Sequence, residues 1–342
     1  MTIQPTFVER LLHRLHLLPT PILDTFGNVL FGRALSIAVR RGLFETLARS
    51  SRTVPELAAA TGLDARGMEL LLESLATAGY LHCRADAYSL TQESRRWLLK
   101  ASPHYLGNLV RYFETLYDRW NYLEQSLEHG TPPRKYYERF TDDDWKVYVY
   151  AMQDLARLLM NDVIKNINLI GSPQRLLDIG GSHGMYSIEC CRRYPLLHAT
   201  VIDFPEALHH SRAIIEAEAM SGRVALLSAD FTLAELPASQ DCVLMFNIIH
   251  GFTESENRTL IGRALASLNS GGKLYILDQL RDKERKRGLS QFMPRMVGLN
   301  LLNEIGGSTY SYEQVKNWCS AAKKVEKLKV RLPGMSLVEV VR

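Results

Sequence analysis

Several features that define common protein classes are scarce in this chain of 342 residues. It has only five cysteines, an odd number without the pair spacing of a metal site. We therefore expect buried reduced thiols and neither disulfides nor a bound metal. No apolar run approaches the ~20 residues that a membrane-spanning helix needs. In the first 20 residues, basic side chains stand between the leucines, so this segment lacks the uninterrupted apolar core of a signal peptide. The sequence predicts a cytoplasmic protein without a membrane span.

An excess of one charge is also lacking, because 41 Lys and Arg stand against 37 Asp and Glu, for a net charge of +4. Such a mild excess does not require a nucleic-acid partner. The hydrophobic content of 46% is ordinary for a globular protein, and the length allows two domains with a sizeable core. No internal repeat or low-complexity segment interrupts the chain.

The first hundred residues predict a winged-helix arrangement, in which two helices precede a hairpin. Thr53 with Glu56 three residues later forms a helix-capping pattern. A second helix is predicted over residues 64–78, and a hairpin follows at 79–90. We assign residues 1–104 to this module.

A winged helix can bind DNA or another subunit. The second helix has one arginine against three acids, and residues 1–100 hold 12 Lys and Arg against 9 Asp and Glu without a basic stripe. The leucine-rich stretch 7–18 suits packing on a partner subunit or within the same chain. Dimerisation is the better interpretation, and a DNA-binding regulator is the less favoured alternative.

The most informative stretch covers residues 176–187, where an apolar run ends at Asp178 and a glycine-rich turn, Gly180 to Gly184, follows. This pattern predicts a strand, a tight loop and a helix, whose first N–H groups are open to a ligand. Asp203 ends a second predicted strand about twenty residues on, and an acid there suits the hydroxyls of a ribose. Asp178 would repel a pyrophosphate but could accept a hydrogen bond from an ammonium group.

Residues 171–342 alternate strand and helix, which predicts a largely parallel, doubly wound α/β sheet. Its predicted elements include a helix over 207–220, a strand over 273–277 and a closing hairpin with arms at 328–331 and 337–341. Ligands of such sheets lie at the carboxyl ends of the strands. Asp230 and Phe231 fall there and suit the amine and the face of an adenine. His250 also falls there, and a neutral imidazole can take a proton from a hydroxyl near neutral pH, although a histidine at a strand end is often structural. Asp278 ends another strand and is expected to serve structurally.

Residues 105–170 are predicted to be aromatic-rich linking helices. Tyr148 and Met152 lie one turn apart on the last of them, a spacing that by itself indicates ordinary core packing.

Several motifs in order resemble the plant-type and bacterial small-molecule O-methyltransferases, such as the caffeic acid and hydroxyindole enzymes. They are the segment 41–45 (Arg-Gly-Leu-Phe-Glu), the triplet 56–58, the loop 178–184, the triplet 203–205 (Asp-Phe-Pro), the pair 230–231, the strand ending at His250 and the segment 271–274. The resemblance implies a homodimer with an N-terminal winged-helix dimerisation domain and a C-terminal class I, Rossmann-like domain for S-adenosylmethionine over residues 171–342.

The resemblance also implies roles for particular residues. His250 would be the general base. The expected cofactor-binding residues are Asp178, Gly180, Gly181, Gly184, Asp203, Phe204, Asp230, Phe231 and Asn247. The expected substrate-binding residues, judged from position, are Tyr112, Tyr148, Met152, Met296, Asn300 and Glu304.

Two segments depart from the family pattern. His250 is followed by Gly251-Phe252 where the family usually has Asp-Trp. After Gly306-Gly307 and one further residue, Ser308, the family usually has a glutamate, but this chain has Thr309 there. The acid that would orient His250 is thus absent from its usual place, and Glu304 is the substitute that the sequence suggests.

These observations predict a methyltransferase of secondary metabolism that acts on a hydroxyl of a small aromatic or polycyclic metabolite. The altered segment after Gly307 motivates an alternative, methylation of a carbon on a tetrapyrrole or quinone ring.

Overall fold

The computed structural model describes residues 6–281 and 288–342. The chain divides into two compact units, an N-terminal unit that ends at Leu116 and a C-terminal unit that begins at Tyr117. The segment predicted as linking helices, 105–170, is divided between them.

The N-terminal unit is mainly helical, and the capping pattern at Thr53 is present, since Glu56 Oε2 accepts the Thr53 N–H at 2.8 Å. A three-stranded sheet in the order β1-β3-β2 completes the predicted winged helix. Its elements are α1 (Phe7–Arg14), α2 (Thr20–Ile22), α3 (Asn28–Arg40), α4 (Leu43–Thr46), β1 (Arg52–Thr53), α5 (Val54–Thr61), α6 (Ala65–Thr77), β2 (Leu81–Arg84), β3 (Ala87–Leu90), α7 (Gln92–Trp97) and α8 (Gly107–Glu114), with a π-helical turn at Leu23–Gly27.

The first three helices leave many apolar side chains exposed. The helical stretch Thr20–Arg40 is the one stretch in the described residues that could cross a membrane by length and composition, and 11% of its most apolar window is buried. The sequence analysis expected no stretch of this kind. A single such helix near the N-terminus is weak evidence for a span. The exposed apolar side chains of this face are Phe7, Val8, Leu11, Leu15, Leu17, Ile22, Leu23, Phe26, Val29 and Leu30.

The C-terminal unit is built on one sheet of seven strands with helices on both faces. Helix α9 (Leu116–Arg119) begins at the last residue of the N-terminal unit. The following helices of the C-terminal unit are α10 (Leu123–His129), α11 (Asp142–Ile164), α12 (Met185–Arg193), α13 (Pro205–His209), α14 (Ser211–Ala217), α15 (Glu254–Ser267), α16 (Leu289–Ile305) and α17 (Tyr312–Trp318), with 3₁₀ turns at Trp120–Tyr122, Tyr136–Arg139 and Ile249–Gly251. Its strands are β4 (Arg175–Ile179), β5 (His198–Asp203), β6 (Val224–Ser228), β7 (Gln240–Phe246), β8 (Leu268–Gln279), β9 (Lys324–Leu328) and β10 (Met335–Val341).

The strand order is β6-β5-β4-β7-β8-β10-β9, in which the first five strands are parallel and β10 runs antiparallel to both of its neighbours, β8 and β9. The chain runs outward from β4 in both directions, so a switch point lies between β4 and β7, where doubly wound sheets bind ligands. Both faces of β4 and β7 are buried because helices cover them. This confirms the predicted α/β class and places the ends of β4, β5, β7 and β8 along one edge.

Three element boundaries differ from the sequence predictions. The helix predicted over 207–220 is divided at His210, whose ring contacts Asp142 of α11. The strand predicted over 273–277 is the middle of the longer β8, because β10 pairs with it as far as Gln279. The first arm of the closing hairpin lies earlier than 328–331, since Arg331 N–H is bonded to Asp162 on α11 instead of to a strand.

The cysteines are all free. Four are buried as expected, whereas Cys83 on the β2 edge is exposed, which corrects the prediction for that residue.

Candidate active site

The glycine-rich loop joins β4 to α12 and has no room for a side chain at Gly180 or Gly181. Gly180 and Gly184 have φ of +66° and +69°, a region that favours glycine. A Cβ on Gly180 would collide with Ile248, and one on Gly181 would lie 2.6 Å from Asp178 Oδ2. The loop therefore brings bare backbone to the edge of the sheet.

Asp178 lies beneath this loop and is 2% exposed. Its Oδ2 accepts a hydrogen bond from Ser187 Oγ at 2.7 Å, which ties the end of β4 to the first turn of α12. Burial, reinforced by the nearby charge of Asp203, raises the pKa of this carboxyl to about 7 although the Ser187 bond opposes it.

Asp203, at the end of β5, accepts from two backbone N–H groups, those of Ser182 at 3.0 Å and Phe204 at 2.8 Å. Burial raises its pKa to about 6 in spite of these bonds. Each bond uses one of its two oxygens, and a carboxylate oxygen has two acceptor sites. Asp203 can therefore hold the loop and still accept from two hydroxyls of a ligand.

Asp230 lies on the wall of a cavity of about 1050 Å³. Its Oδ1 accepts from the N–H and hydroxyl of Thr232 at 2.9 and 2.6 Å, which fixes the carboxylate. The rings on the cavity wall are those of Phe204, Phe252, Tyr137, Phe140 and Trp145.

Phe231 was expected to face the ligand, but it is 3% exposed and packs in the core. Its ring centroid is 5.5 Å from that of Phe204 and 6.0 Å from that of Phe252. Phe231 thus supports the two rings that reach the cavity. Phe252 lines the cavity although it was not predicted to do so, and the aromatic ring two positions after His250 was the available signal.

His250, in the 3₁₀ turn after β7, is paired with Asp278 at the end of β8. Its Nδ1 lies 2.7 Å from Asp278 Oδ1, and its backbone N–H donates to Oδ2 at 3.3 Å. The pair fixes the tautomer, because Nδ1 must carry the proton to bond a carboxylate, and leaves Nε2 as the acceptor. Asp278, expected to be structural, is therefore the orienting acid, and the proposed substitute Glu304 does not contact the ring nitrogen Nδ1.

Neighbouring segments hold the backbone of His250 in place. The carbonyl of His250 accepts the Ser308 N–H at 2.9 Å, and a Cβ on Gly307 would collide with that same oxygen. The buried Asn257 amide donates to the carbonyls of Ile249 and Phe252 at 2.8 and 3.1 Å. Gly307 therefore allows close packing over the histidine.

Two opposing influences set the proton affinity of His250. Burial lowers its pKa, but the charge and hydrogen bond of Asp278, with the charge of Glu304, outweigh this and raise the pKa above 6.5. The side chain is 19% exposed. His250 is thus a somewhat stronger base than a free imidazole, with one nitrogen accessible.

Glu304 on α16 is the centre of a polar network that includes two predicted substrate residues. Its Oε2 accepts from Asn300 Nδ2 at 2.9 Å, and Asn300 Oδ1 accepts from Trp120 Nε1 at 2.7 Å. Its Oε1 lies 2.8 Å from Arg119 Nη1, as an ion pair without an aligned hydrogen bond. Burial raises the pKa of Glu304, although Arg119, Asn300 and His250 oppose the shift.

The network continues to Tyr148, since the Arg119 guanidinium lies 4.9 Å from the centre of the Tyr136 ring, which hydrogen-bonds Tyr148. Burial, with smaller effects of Asp203 and Glu304, raises the pKa of Tyr148 to about 12, so its hydroxyl stays protonated.

The remaining predicted residues lie in three places. Met152 is half-buried one turn beyond Tyr148 on α11, and Met296 is half-buried one turn before Asn300 on α16. Asn247 has φ of +56° and donates its N–H to Leu277 at 2.7 Å, so it turns the chain between β7 and His250. Tyr112 is buried on α8 of the N-terminal unit.

His183, inside the glycine-rich loop, was not predicted to have a role. Its Nδ1 accepts the Met185 N–H at 3.1 Å at the start of α12. Burial, reinforced by Arg157, lowers its pKa to about 3, so this imidazole stays neutral.

Comparison with known proteins decides the family. Residues 120–322 match the O-methyltransferase domain, and residues 23–100 match the O-methyltransferase dimerisation domain. The chain belongs to the O-methyltransferase family.

Relatives of this O-methyltransferase align over most of its length. It is 27% identical to 3-hydroxy-5-methyl-1-naphthoate 3-O-methyltransferase of Streptomyces sahachiroi over 92% of this chain and 93% of that protein. It is 25% identical to acetylserotonin O-methyltransferase of Macaca mulatta, over 84% and 87%. Human N-acetylserotonin methyltransferase, solved in complex with S-adenosylmethionine, has a TM-score of 0.82 and 20% identity over 94% of this chain and 97% of that one. Family membership confirms the predicted enzyme class and its cofactor, S-adenosylmethionine.

The edge of the sheet fits this cofactor. Within the described residues, the Ser182 hydroxyl is buried at the tip of the loop without a hydrogen-bond partner. Burial raises the pKa values of Asp178 and Asp203, and a cation bound beside them would favour their ionised form, so these two acids suit a ligand that carries a sulfonium and an ammonium group. Bare backbone, an unpartnered donor and cation-attracting acids suit a positively charged nucleoside.

Proposed function

We propose that this O-methyltransferase transfers a methyl group to a hydroxyl of a small aromatic or polycyclic metabolite, with His250 as the general base. The His250–Asp278 pair is the observation that carries the proposal. Related enzymes named for a hydroxynaphthoate and for acetylserotonin support a fused-ring acceptor.

The cofactor residues divide by the part of the ligand that they suit. Gly180, Gly181 and Gly184 let the methionyl part approach the backbone, and Asp178 holds this loop in shape. Asp203 accepts from the ribose hydroxyls. The free oxygen of Asp230 takes the adenine amine, with Phe204 and Phe252 beside the ring. When bound, S-adenosylmethionine supplies an already activated methyl group, so positioning and exclusion of water provide most of the acceleration.

On the acceptor side, His250 Nε2 takes the hydroxyl proton while Asp278 stabilises the imidazolium that forms. Tyr148, Met152, Met296, Asn300 and Glu304 are the proposed pocket residues of the C-terminal unit. Asp278 supplies the acid whose apparent absence motivated carbon methylation, so that alternative loses its basis.

The oligomeric state in this proposal is a homodimer. The apolar face of α1 to α3, defined by the exposed side chains from Phe7 to Leu30, overlaps the start of the match to the dimerisation domain at residue 23. Burial of such a face against a second copy removes it from water, which favours association.

The test is His250→Ala with His198→Ala as the matched control, because His198 is exposed at the start of β5. We expect the single-turnover rate on a phenolic acceptor to fall about 10²- to 10⁴-fold while the affinity for S-adenosylhomocysteine stays unchanged. An unchanged rate would remove His250 from the mechanism. Isotope-labelled methyl transfer with NMR of the product separates oxygen from carbon methylation.

A further inference from the structure

A cluster of two histidines and one carboxylate lies outside the catalytic edge. His210 Nε2 is 3.0 Å from Asp142 Oδ1, and His209 Nε2 is 3.8 Å from the same oxygen. One ligand atom from each of the three residues lies within 4.8 Å of the other two. None of these side chains was assigned a role above.

The spacing is close to what a transition metal requires. Zinc binds imidazole nitrogen and carboxylate oxygen at about 2.0–2.2 Å, so tetrahedral ligand atoms lie about 3.3–3.5 Å apart. The two measured separations, 3.0 and 3.8 Å, lie on either side of that value. Two imidazoles and one carboxylate leave coordination positions for water and favour Cu²⁺, Ni²⁺ or Zn²⁺ over Mg²⁺ or Ca²⁺.

The three residues lie next to residues that line two different walls of the cavity. Asp142 is the first residue of α11, and Trp145, one turn further on, lines the cavity. His209 ends α13, which begins directly after Phe204, and Phe204 and Glu206 line the same cavity from that side. The cluster therefore bridges α11 to the helix that follows the ribose-binding acid.

We propose that Asp142, His209 and His210 form a binding site for a divalent transition metal that clamps these two walls together. A bound ion replaces one long contact, His209 to Asp142, with two short bonds to a shared centre. Because Phe204 and Trp145 are fixed to the clamped elements, the clamp slows the entry and release of the nucleoside cofactor. This effect on the cofactor rests on the proposed function, whereas metal binding itself does not.

Metal binding is tested by calorimetry with ZnCl₂ and NiCl₂ on the full-length protein, stripped with a chelator. We expect one site per chain and at least a tenfold loss of affinity in His209→Ala and in Asp142→Asn. The controls are His198→Ala and Asp143→Asn, which alter an exposed isolated histidine and the exposed acid next to Asp142. Equal affinity in the variants and their controls, or no binding by the unaltered protein, overturns the site.

Trp145 reports where the ion binds, because Cu²⁺ quenches tryptophan fluorescence at short range. We expect Trp145→Phe to remove most of the quenching seen at one equivalent of CuCl₂, and quenching that persists contradicts the location. The clamp is tested by stopped-flow release of S-adenosylhomocysteine with and without ZnCl₂. A several-fold slower release that His209→Ala abolishes supports it. Unchanged release in a protein shown to bind zinc overturns the clamp alone, and failure of the nucleoside to bind at all overturns the proposed function.

Discussion

The two halves of the active edge are held together in different ways. At the ends of β4, β5 and β6, each acid has a partner near it in the chain: Asp230 bonds Thr232, Asp178 bonds Ser187, nine residues away, and Asp203 bonds Phe204. Asp203 also bonds Ser182, 21 residues before it. At the ends of β7 and β8, His250 bonds Asp278 across 28 residues, and on α16 Asn300 bonds Trp120 across 180. The cofactor half is thus built mostly from short-range contacts, whereas the acceptor half depends more on assembly of the whole unit.

The electrostatics of the two halves are complementary. Burial raises the pKa values of Asp178 and Asp203 in the cofactor half, whereas in the acceptor half acids raise the pKa of His250. The first effect follows from desolvation of the two acids, which favours their neutral form, and the second from the charges of Asp278 and Glu304 beside the histidine. A cation bound beside Asp178 and Asp203 would favour their ionised form, and the ionised acids of the other half strengthen the base.

Among the variants that test this comparison, the largest expected effect comes from adding a side chain to the glycine-rich loop of the cofactor half. In Gly181→Ala, the new Cβ would lie 2.6 Å from Asp178 Oδ2, so the loop must move off the acid beneath it. We expect the affinity for S-adenosylhomocysteine to fall about 100-fold in calorimetry, since overpacking displaces the backbone that contacts the ligand. Gly222→Ala is the control, because no atom lies within 4 Å of a Cβ there. Equal affinities in the two variants would show that the loop does not hold the cofactor.

A smaller effect, on the reaction rate and not on cofactor binding, is expected from changing the His250–Asp278 pair of the acceptor half. Asp278→Asn removes the charge that raises the pKa of His250, so that pKa falls. The acidic limb of the profile of kcat/KM against pH then moves to lower pH, because His250 with a lower pKa stays unprotonated at lower pH. The maximal rate falls about 10- to 100-fold, since the imidazolium loses its counter-charge. A profile that keeps its acidic limb in place would show that Asp278 acts only structurally.

The same contrast explains which parts of the site could be predicted. The glycine loop and the acids at 178, 203 and 230 were recognisable because spacing along a strand–loop–helix unit determines their geometry. The partner of His250 was not, because residue 278 is brought to it by parallel pairing of β7 with β8, a register that no local pattern specifies. The family motif suggested an acid two residues after Gly307, but that position is Thr309, whose hydroxyl donates to the Pro294 carbonyl at 3.1 Å.

Phe231 and Phe252 show that the sequence does not predict which aromatic ring lines the cavity. Both follow a strand end, and composition does not reveal which ring faces the cavity. Packing decides it: Phe231 lies in the core between Phe204 and Phe252. His209 and His210 could not be linked to Asp142 either, because a break between two short helices brings them to α11.

The smallest expected effect separates the two acids that act on His250. Glu304→Gln keeps the size of the side chain and its contact with Asn300 but removes a charge that helps to raise the pKa of His250. Glu304 acts on that pKa through charge alone, whereas Asp278 also bonds the ring, so the acidic limb should move in the same direction as in Asp278→Asn but less far.

A second measurement shows whether this small shift is specific. Glu304→Gln also removes the carboxylate charge beside the half-buried Arg119 guanidinium, so we expect a lower midpoint of thermal unfolding and a several-fold higher KM for the acceptor. Glu256→Gln is the control, because that carboxylate caps α15 through Thr253 and does not influence the pKa of His250. If Glu304→Gln moves the acidic limb as far as Asp278→Asn does, the hydrogen bond from Nδ1 to Asp278 has no effect on the pKa of His250 beyond that of a nearby charge. The acceptor half would then depend on electrostatics and not on the contact that orients the ring.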